Sequence, residues 1–91
     1  MKSEFVGETF RVSAPAEAIA TLAYETAAGV AAAAELEFGE AEDFSSALAS
    51  AAGELSGTDT AEARIVLVEN GFDVTLAPSG GDPAATVEYR A

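Results

Sequence analysis

Three of the four basic residues are arginines in segments with strand-like sequence: Arg11, Arg64 and Arg90. If these segments pair in one sheet, the guanidinium groups would gather on one face and bind an anionic ligand, because arginine forms bidentate hydrogen bonds with carboxylates and phosphates. The competing interpretation is that each arginine pairs with a neighbouring carboxylate. The chain contains 16 acidic residues, and this excess favours ion pairing over a ligand site.

A second group of candidate residues is acidic and surrounds the start of a predicted helix: Glu35, Glu37, Glu40, Glu42 and Asp43. Hard divalent cations bind several such oxygens. The spacing lacks the glycine-containing turn of an EF-hand loop, and carboxylates at the start of a helix also interact favourably with the helix dipole. The sequence therefore favours a solvated acidic surface and predicts no metal site.

A third candidate is the glycine-rich segment Ser79-Gly80-Gly81-Asp82. Backbone N–H groups in such a segment can form a concave nest that binds a phosphate. Pro78 and Pro83 flank the segment, however, and this composition is more typical of a loop that connects two strands. The sequence favours the connecting loop.

Groups that catalyse reactions near neutral pH are scarce in this chain. Histidine and cysteine are absent, which removes the commonest general base and the thiolate nucleophile. The remaining route is a carboxylate whose pKa is raised by burial, but the candidates Glu25, Glu54 and Glu69 are all expected to be exposed. We therefore predict a protein that is not an enzyme and has no catalytic, cofactor-binding or metal-binding residues.

The hydrophobic pattern predicts a single small α+β domain over residues 1–91. Apolar residues that alternate with polar ones indicate strands, and apolar residues three or four positions apart indicate helices. The predicted elements are a strand over 5–13, helices over 15–34 and 40–55, and strands over 63–69, 72–77 and 85–90. This order, β-α-α-β-β-β, predicts a two-layer sandwich with two helices on one face of a mainly antiparallel four-stranded sheet. Residues 30–38 also alternate, so an extra strand there, in the order β-α-β-α-β-β-β, is the alternative.

The first helix is predicted to begin after Ser13, which would cap it, with Pro15 in its first turn. Its apolar stripe is predicted to consist of Ile19, Leu22, Ala23, Thr26, Val30 and Ala33.

The clearest local signal is Asn70-Gly71 between two apolar runs, which predicts a hairpin. We expect a type I′ turn with positive φ at both residues. The run Ile65-Val66-Leu67-Val68 is apolar on both faces, so its strand is predicted to be central or covered on both sides.

The net charge of −12 is the most unusual property of the composition. Molar salt shortens the screening length to about 3 Å and would remove most of the resulting self-repulsion. This acidic, alanine-rich, lysine-poor composition resembles that of proteins from extremely halophilic archaea. An acidic protein of an ordinary high-GC bacterium and a designed sequence are the alternatives.

Partners and location follow from charge and hydropathy. Four basic residues are too few to neutralise many phosphates, so we expect no nucleic-acid binding. No apolar run is long enough to span a membrane, and the absence of cysteine and of an apolar leader favours the cytoplasm.

The functional hypothesis is a non-enzymatic regulatory or protein-interaction module of a salt-adapted organism. It would bind a protein partner, or form a homodimer with a second copy of itself, through the exposed side of the sheet or the alanine-rich first helix. One alternative is a small ligand-binding domain or enzyme that uses carboxylates, an arginine, Tyr24 and Tyr89. Another is an acidic mimic of nucleic acid that inhibits a nucleic-acid-binding protein.

Overall fold

The computed structural model describes residues 3–38, 42–55 and 57–90. Its helices and strands are β1 (Thr9–Pro15), α1 (Ile19–Ala33), α2 (Glu42–Ala52), β2 (Thr60–Val68), β3 (Gly71–Pro78) and β4 (Ala85–Arg90). Short 3-10 turns occupy Ser3–Phe5, Ala16–Ala18 and Gly53–Leu55. This is the predicted α+β fold, with two helices packed on a four-stranded antiparallel sheet in the order β-α-α-β-β-β.

The strands lie in the order β1-β2-β3-β4, and each neighbouring pair is antiparallel. Strand β2 is therefore central, as its apolar sequence predicts. The register aligns Phe10, Ile65, Val74 and Val87 in one row across the sheet. Ile65 and Val74 are fully buried, and Val87 is nearly so, because this row faces the helices. The neighbouring positions on each strand point to the opposite face of the sheet.

Helix α1 packs on the sheet through small residues. Its buried positions recur every fourth residue: Ile19, Ala23, Ala27 and Ala31. The predicted stripe shares Ile19 and Ala23 with this line, but Leu22 and Val30 are only half-buried and Ala33 is exposed. Because alanine has no side chain beyond Cβ, the line brings the helix backbone close to the sheet.

Helix α1 continues through Gly29 and ends in a Schellman motif. The N–H of Leu36 donates to the carbonyl oxygen of Ala31 (2.9 Å), and the N–H of Glu35 donates to that of Ala32 (3.3 Å). Glu35 takes the left-handed conformation, with φ of 56°, that this motif requires. Leu36 is buried beyond the cap. The alternative strand over 30–38 is therefore wrong.

Two predictions near β1 are also wrong. The sequence predicts a strand from residue 5, whereas Gly7 adopts φ of 94° and the strand begins at Thr9. Ser13 does not cap a helix, because it lies inside β1 opposite Glu62. The strand extends to Pro15, which is tolerated there because β1 is an edge strand.

The hairpin forms as predicted, but its turn is shifted by one residue. Val68 pairs with Gly71, so Glu69 and Asn70 are the two loop residues. Asn70 has φ of 61°, whereas Gly71 has no positive φ, and the predicted type I′ turn is wrong. Gly71 is needed for a different reason: a Cβ atom there would overlap the backbone carbonyl oxygen of Tyr89 on β4.

Five aromatic rings join the helices, the sheet and the segment after α1: Tyr24, Phe38, Phe44, Phe72 and Tyr89. Phe38 lies among them, with its ring centroid 4.8 Å from that of Tyr89 and 5.6 Å from that of Phe72. The Tyr89 hydroxyl donates a hydrogen bond to the carbonyl oxygen of Glu37 (3.2 Å). Both tyrosines therefore belong to this packing cluster.

Candidate functional site

The face of the sheet that points away from the helices is covered by no helix or strand within the described residues. We call it the open face. It consists of Thr9, Arg11 and Ser13 of β1, Glu62, Arg64, Val66 and Val68 of β2, Asp73, Thr75 and Ala77 of β3, and Thr86, Glu88 and Arg90 of β4. All these residues are exposed or half-buried. The three arginines singled out in the sequence do gather on one face.

Arg11 and Arg64 lie directly opposite each other on the paired strands β1 and β2. Like charges in this position destabilise a sheet by up to about 1 kcal/mol. Nη2 of Arg64 lies 3.8 Å from Oε1 of Glu62, which is a loose contact between partly exposed side chains. Arg11 forms no ion pair with any residue in the described ranges. Among the described residues, the predicted ion pairing is thus absent at Arg11 and weak at Arg64.

Arg90 has a different environment at the opposite corner of the open face. Its Nη2 lies 2.8 Å from Oδ1 of Asp73 and 4.0 Å from Oε1 of Glu88. Its Nη1 donates to the carbonyl oxygens of Tyr89 (2.8 Å) and Phe72 (2.9 Å). Ion pairing is therefore confirmed for Arg90, whose guanidinium holds β3 and β4 together.

Charge is distributed unevenly over the molecule. The open face carries three arginines and three carboxylates, those of Glu62, Asp73 and Glu88. The other 13 of the 16 acidic residues, together with Lys2, lie elsewhere in the sequence. The open face is therefore formally neutral, while the remainder of the chain carries the whole net charge of −12.

A hollow of about 260 Å³ lies where the open face meets the β3–β4 loop. Its lining includes Glu62, Arg64 and Thr75 from the sheet and Gly80 and Gly81 from the loop, so the structure brings the arginine and glycine candidates together. Arg64 shares this hollow with the carboxylate of Glu62, which opposes the binding of an anion.

The glycine-rich loop uses its N–H groups to hold its own shape. The N–H of Gly81 donates to the carbonyl oxygen of Pro78 (2.9 Å), and that of Ser79 donates to the carbonyl oxygen of Thr60 (3.1 Å). These two groups are not available to a phosphate. The geometry agrees with the favoured interpretation, a loop that connects two strands.

The acidic candidates that the structure describes do not converge on a cation site. Glu35, Glu37, Glu42 and Asp43 are exposed, and Glu40 lies outside the described residues. Within the described ranges, no three acidic side chains are placed so that they could hold a metal ion.

The candidates for a carboxylate with a raised pKa are exposed, as predicted: Glu25, Glu54 and Glu69. Among the described residues, no charged or polar residue is buried. The described residues therefore include no fully buried carboxyl group.

The outer surface of the helix layer is the second surface that the sequence offers to a partner. Ala23, Ala27 and Ala31 are buried against the sheet, so the alanine line of α1 is already occupied. A shallow groove of about 310 Å³ runs between α1 and α2 and includes Thr21, Tyr24 and Glu25 in its lining. This groove carries a carboxylate and no arginine, in contrast to the open face.

The sequence did not reveal that the open face is neutral. The signal was present at alternate positions of the strands, where Arg64 follows Glu62 and Arg90 follows Glu88. The net charge of the open face could not be worked out without the pairing register, because the register decides which residues of the four strands share this face.

None of the described helices is both long and apolar enough to cross a bilayer. Comparisons with protein-family models, curated proteins and solved structures find no match to this chain.

Proposed function

We propose that this domain is a non-catalytic protein-interaction module of a salt-adapted, cytoplasmic protein, and that the open face is its contact surface. The observation that supports this proposal is the segregation of charge: a formally neutral sheet face on a molecule that otherwise carries the net charge of −12.

Electrostatic repulsion makes this face the most favourable site of approach for an acidic partner. A neighbour that approaches the rest of the molecule meets uncompensated carboxylates, whereas a neighbour that approaches the open face meets equal numbers of both charges. The face also presents half-buried Val66 and Val68 and the arginines that protein interfaces are enriched in. A partner would bury these groups together.

The absence of catalysis is supported by composition and burial. The chain lacks histidine and cysteine. None of the described carboxylates is buried, and burial is the usual means of raising a carboxyl pKa towards neutrality. The hollow beside Arg64 offers a guanidinium and a carboxylate that neutralise each other, without a third titratable group.

A pair of matched substitutions tests the contact surface. Thr9→Glu adds a carboxylate to the row of the open face that already holds Asp73 and Glu88, and Thr21→Glu makes the same change in the groove between α1 and α2. Tagged wild-type and variant proteins are cross-linked in extract of the source organism in molar KCl, and the captured proteins are quantified.

We expect Thr9→Glu to lose the partners that wild type captures and Thr21→Glu to retain them. The opposite pattern would place the contact on the helix layer and contradict the proposal. Thermal unfolding of both variants establishes that neither loss reflects a failure to fold.

A further inference from the structure

We propose that the partner bound by the open face is a second copy of this chain. This inference rests on the proposed function, since it names the occupant of the same surface. It follows from how charge is arranged within the neutral face. The β1–β2 half carries Arg11, Arg64 and Glu62, a net charge of +1, and the β3–β4 half carries Asp73, Glu88 and Arg90, a net charge of −1.

Such a face is complementary to itself under one type of two-fold axis. Two identical sheets that pack face to face are related by an axis that lies between them and parallel to both. If the axis runs along the strands, β1 lies over β4 of the second copy and β2 lies over β3, so the positive half covers the negative half. If the axis runs across the strands, each half covers its own equivalent and like charges meet. Charge therefore selects the axis along the strands.

The pairing register identifies the residues that would meet. Arg11, Arg64, Thr75 and Thr86 form one row across the sheet, and Thr9, Val66, Asp73 and Glu88 form the next row on this face. The axis along the strands places Arg11 over Thr86 of the second copy, with Glu88 of that copy about 7 Å further along the strand. An arginine side chain spans this distance. Arg11, which has no ion pair within the described ranges, gains one in the dimer.

The size of the face sets the strength of the association. Four strands about 4.8 Å apart and about 23 Å long present about 400 Å² per copy. The total for two copies, about 800 Å², is below the roughly 1,200 Å² at which stable interfaces begin. We therefore expect a weak dimer that forms as the protein concentration rises.

The strength of the dimer should depend on salt concentration in an unusual direction. Each copy carries a net charge of −12, so the two copies repel each other at low ionic strength. At about 1 M salt the screening length falls to about 3 Å, which suppresses this repulsion more strongly than it suppresses ion pairs in contact. The dimer should therefore strengthen as KCl rises, whereas an ordinary contact between oppositely charged proteins weakens.

Sedimentation equilibrium on the full chain tests the proposal over a wide range of protein and KCl concentration. Arg11→Glu should weaken dimerisation by about tenfold, because the two-fold axis repeats each lost ion pair. Arg11→Glu combined with Glu88→Arg should restore it. The matched control combines Arg11→Glu with Glu25→Arg, which restores the net charge on the helix layer and should not restore the dimer. Melting curves verify that each variant is folded.

Three results would overturn the inference: a monomer under all conditions, a dimer unaffected by Arg11→Glu, or equal rescue by the two double variants. A monomer that still loses a different captured protein on Thr9→Glu would reject the second copy while leaving the open face as the contact surface. A dimer that neither Arg11→Glu nor Thr9→Glu weakens, together with captured proteins that Thr9→Glu retains, would show that both proposals are wrong about the surface, since Thr9 would lie over Glu88 of the second copy.

Discussion

Gly71 shows how one residue can be required for a reason that lies on another strand. A methyl group at Gly71 would lie 2.9 Å from the backbone carbonyl carbon of Tyr89, where neither strand can move without breaking the β3–β4 pairing. The local sequence suggested a positive φ instead. The true reason depends on the register of β3 against β4, which Asn70-Gly71 alone does not encode.

Gly71→Ala should lower the free energy of unfolding by about 2–3 kcal/mol, because the added methyl group overlaps backbone rather than a flexible side chain. Gly29→Ala is the matched control. Gly29 lies on the exposed side of α1 with no atom within 4 Å of an added Cβ, so alanine there should stabilise the protein by about 1 kcal/mol. Urea unfolding measures both changes. A Gly71→Ala midpoint equal to that of wild type would show that β3 and β4 are not packed as described.

At the scale of elements, the sequence predicted every helix and strand in the right order, but an extra strand over residues 30–38 stood as an alternative to the continued first helix. Val30, Ala32, Ala34 and Leu36 alternate as in a strand, and the same segment also continues the helical spacing of α1. Burial decides between the two: Ala31 and Ala34 are both buried, at helical spacing, while Ala32 between them is exposed. That outcome depends on how α1 sits on the sheet, and alanine carries too little hydrophobic signal to reveal it beforehand.

The close approach of α1 to the sheet gives a prediction at the same scale. Ala27 is fully buried on the line of alanines that faces the sheet, so Ala27→Leu must push the helix away from the strands. We expect a loss of about 1–3 kcal/mol in unfolding free energy, as in other overpacked cores. Ala32→Leu makes the same change on the exposed side of α1 and should alter stability by less than about 0.5 kcal/mol. Equal effects of the two substitutions in thermal melts would mean that the helix is rotated about its axis.

At the scale of the whole molecule, the net charge follows from the sequence, and the structure shows where the charged residues lie. Composition alone gave the net charge of −12 and the expectation of salt adaptation. The strand patterns also suggested that Arg11, Arg64 and Arg90 gather on one face, but not which carboxylates share that face, because this needs the register of four strands. The neutrality of the open face therefore emerged only from the fold.

The net charge predicts a steep dependence of stability on salt. Because the carboxylates outside the open face repel one another, KCl should raise the melting temperature continuously from low to molar concentration. Replacing three exposed carboxylates in Glu25→Gln, Glu42→Gln and Glu54→Gln removes part of the repulsion and should make this rise shallower. Differential scanning calorimetry measures both. A melting temperature that stays flat or falls with KCl would contradict salt adaptation.

Strands β1 and β2 are neighbours in the sheet, yet both helices lie between them in the chain, so Pro15 pairs with Thr60. The kinetics of folding follow from this separation. Strands β2, β3 and β4 are joined by short loops and can assemble from local contacts, whereas β1 joins only after a long loop has closed. Until then, β2 presents an unpaired edge, the kind of surface on which chains aggregate. The N-terminal strand, added last, is therefore the part of the sheet that protects the nascent domain from its own copies.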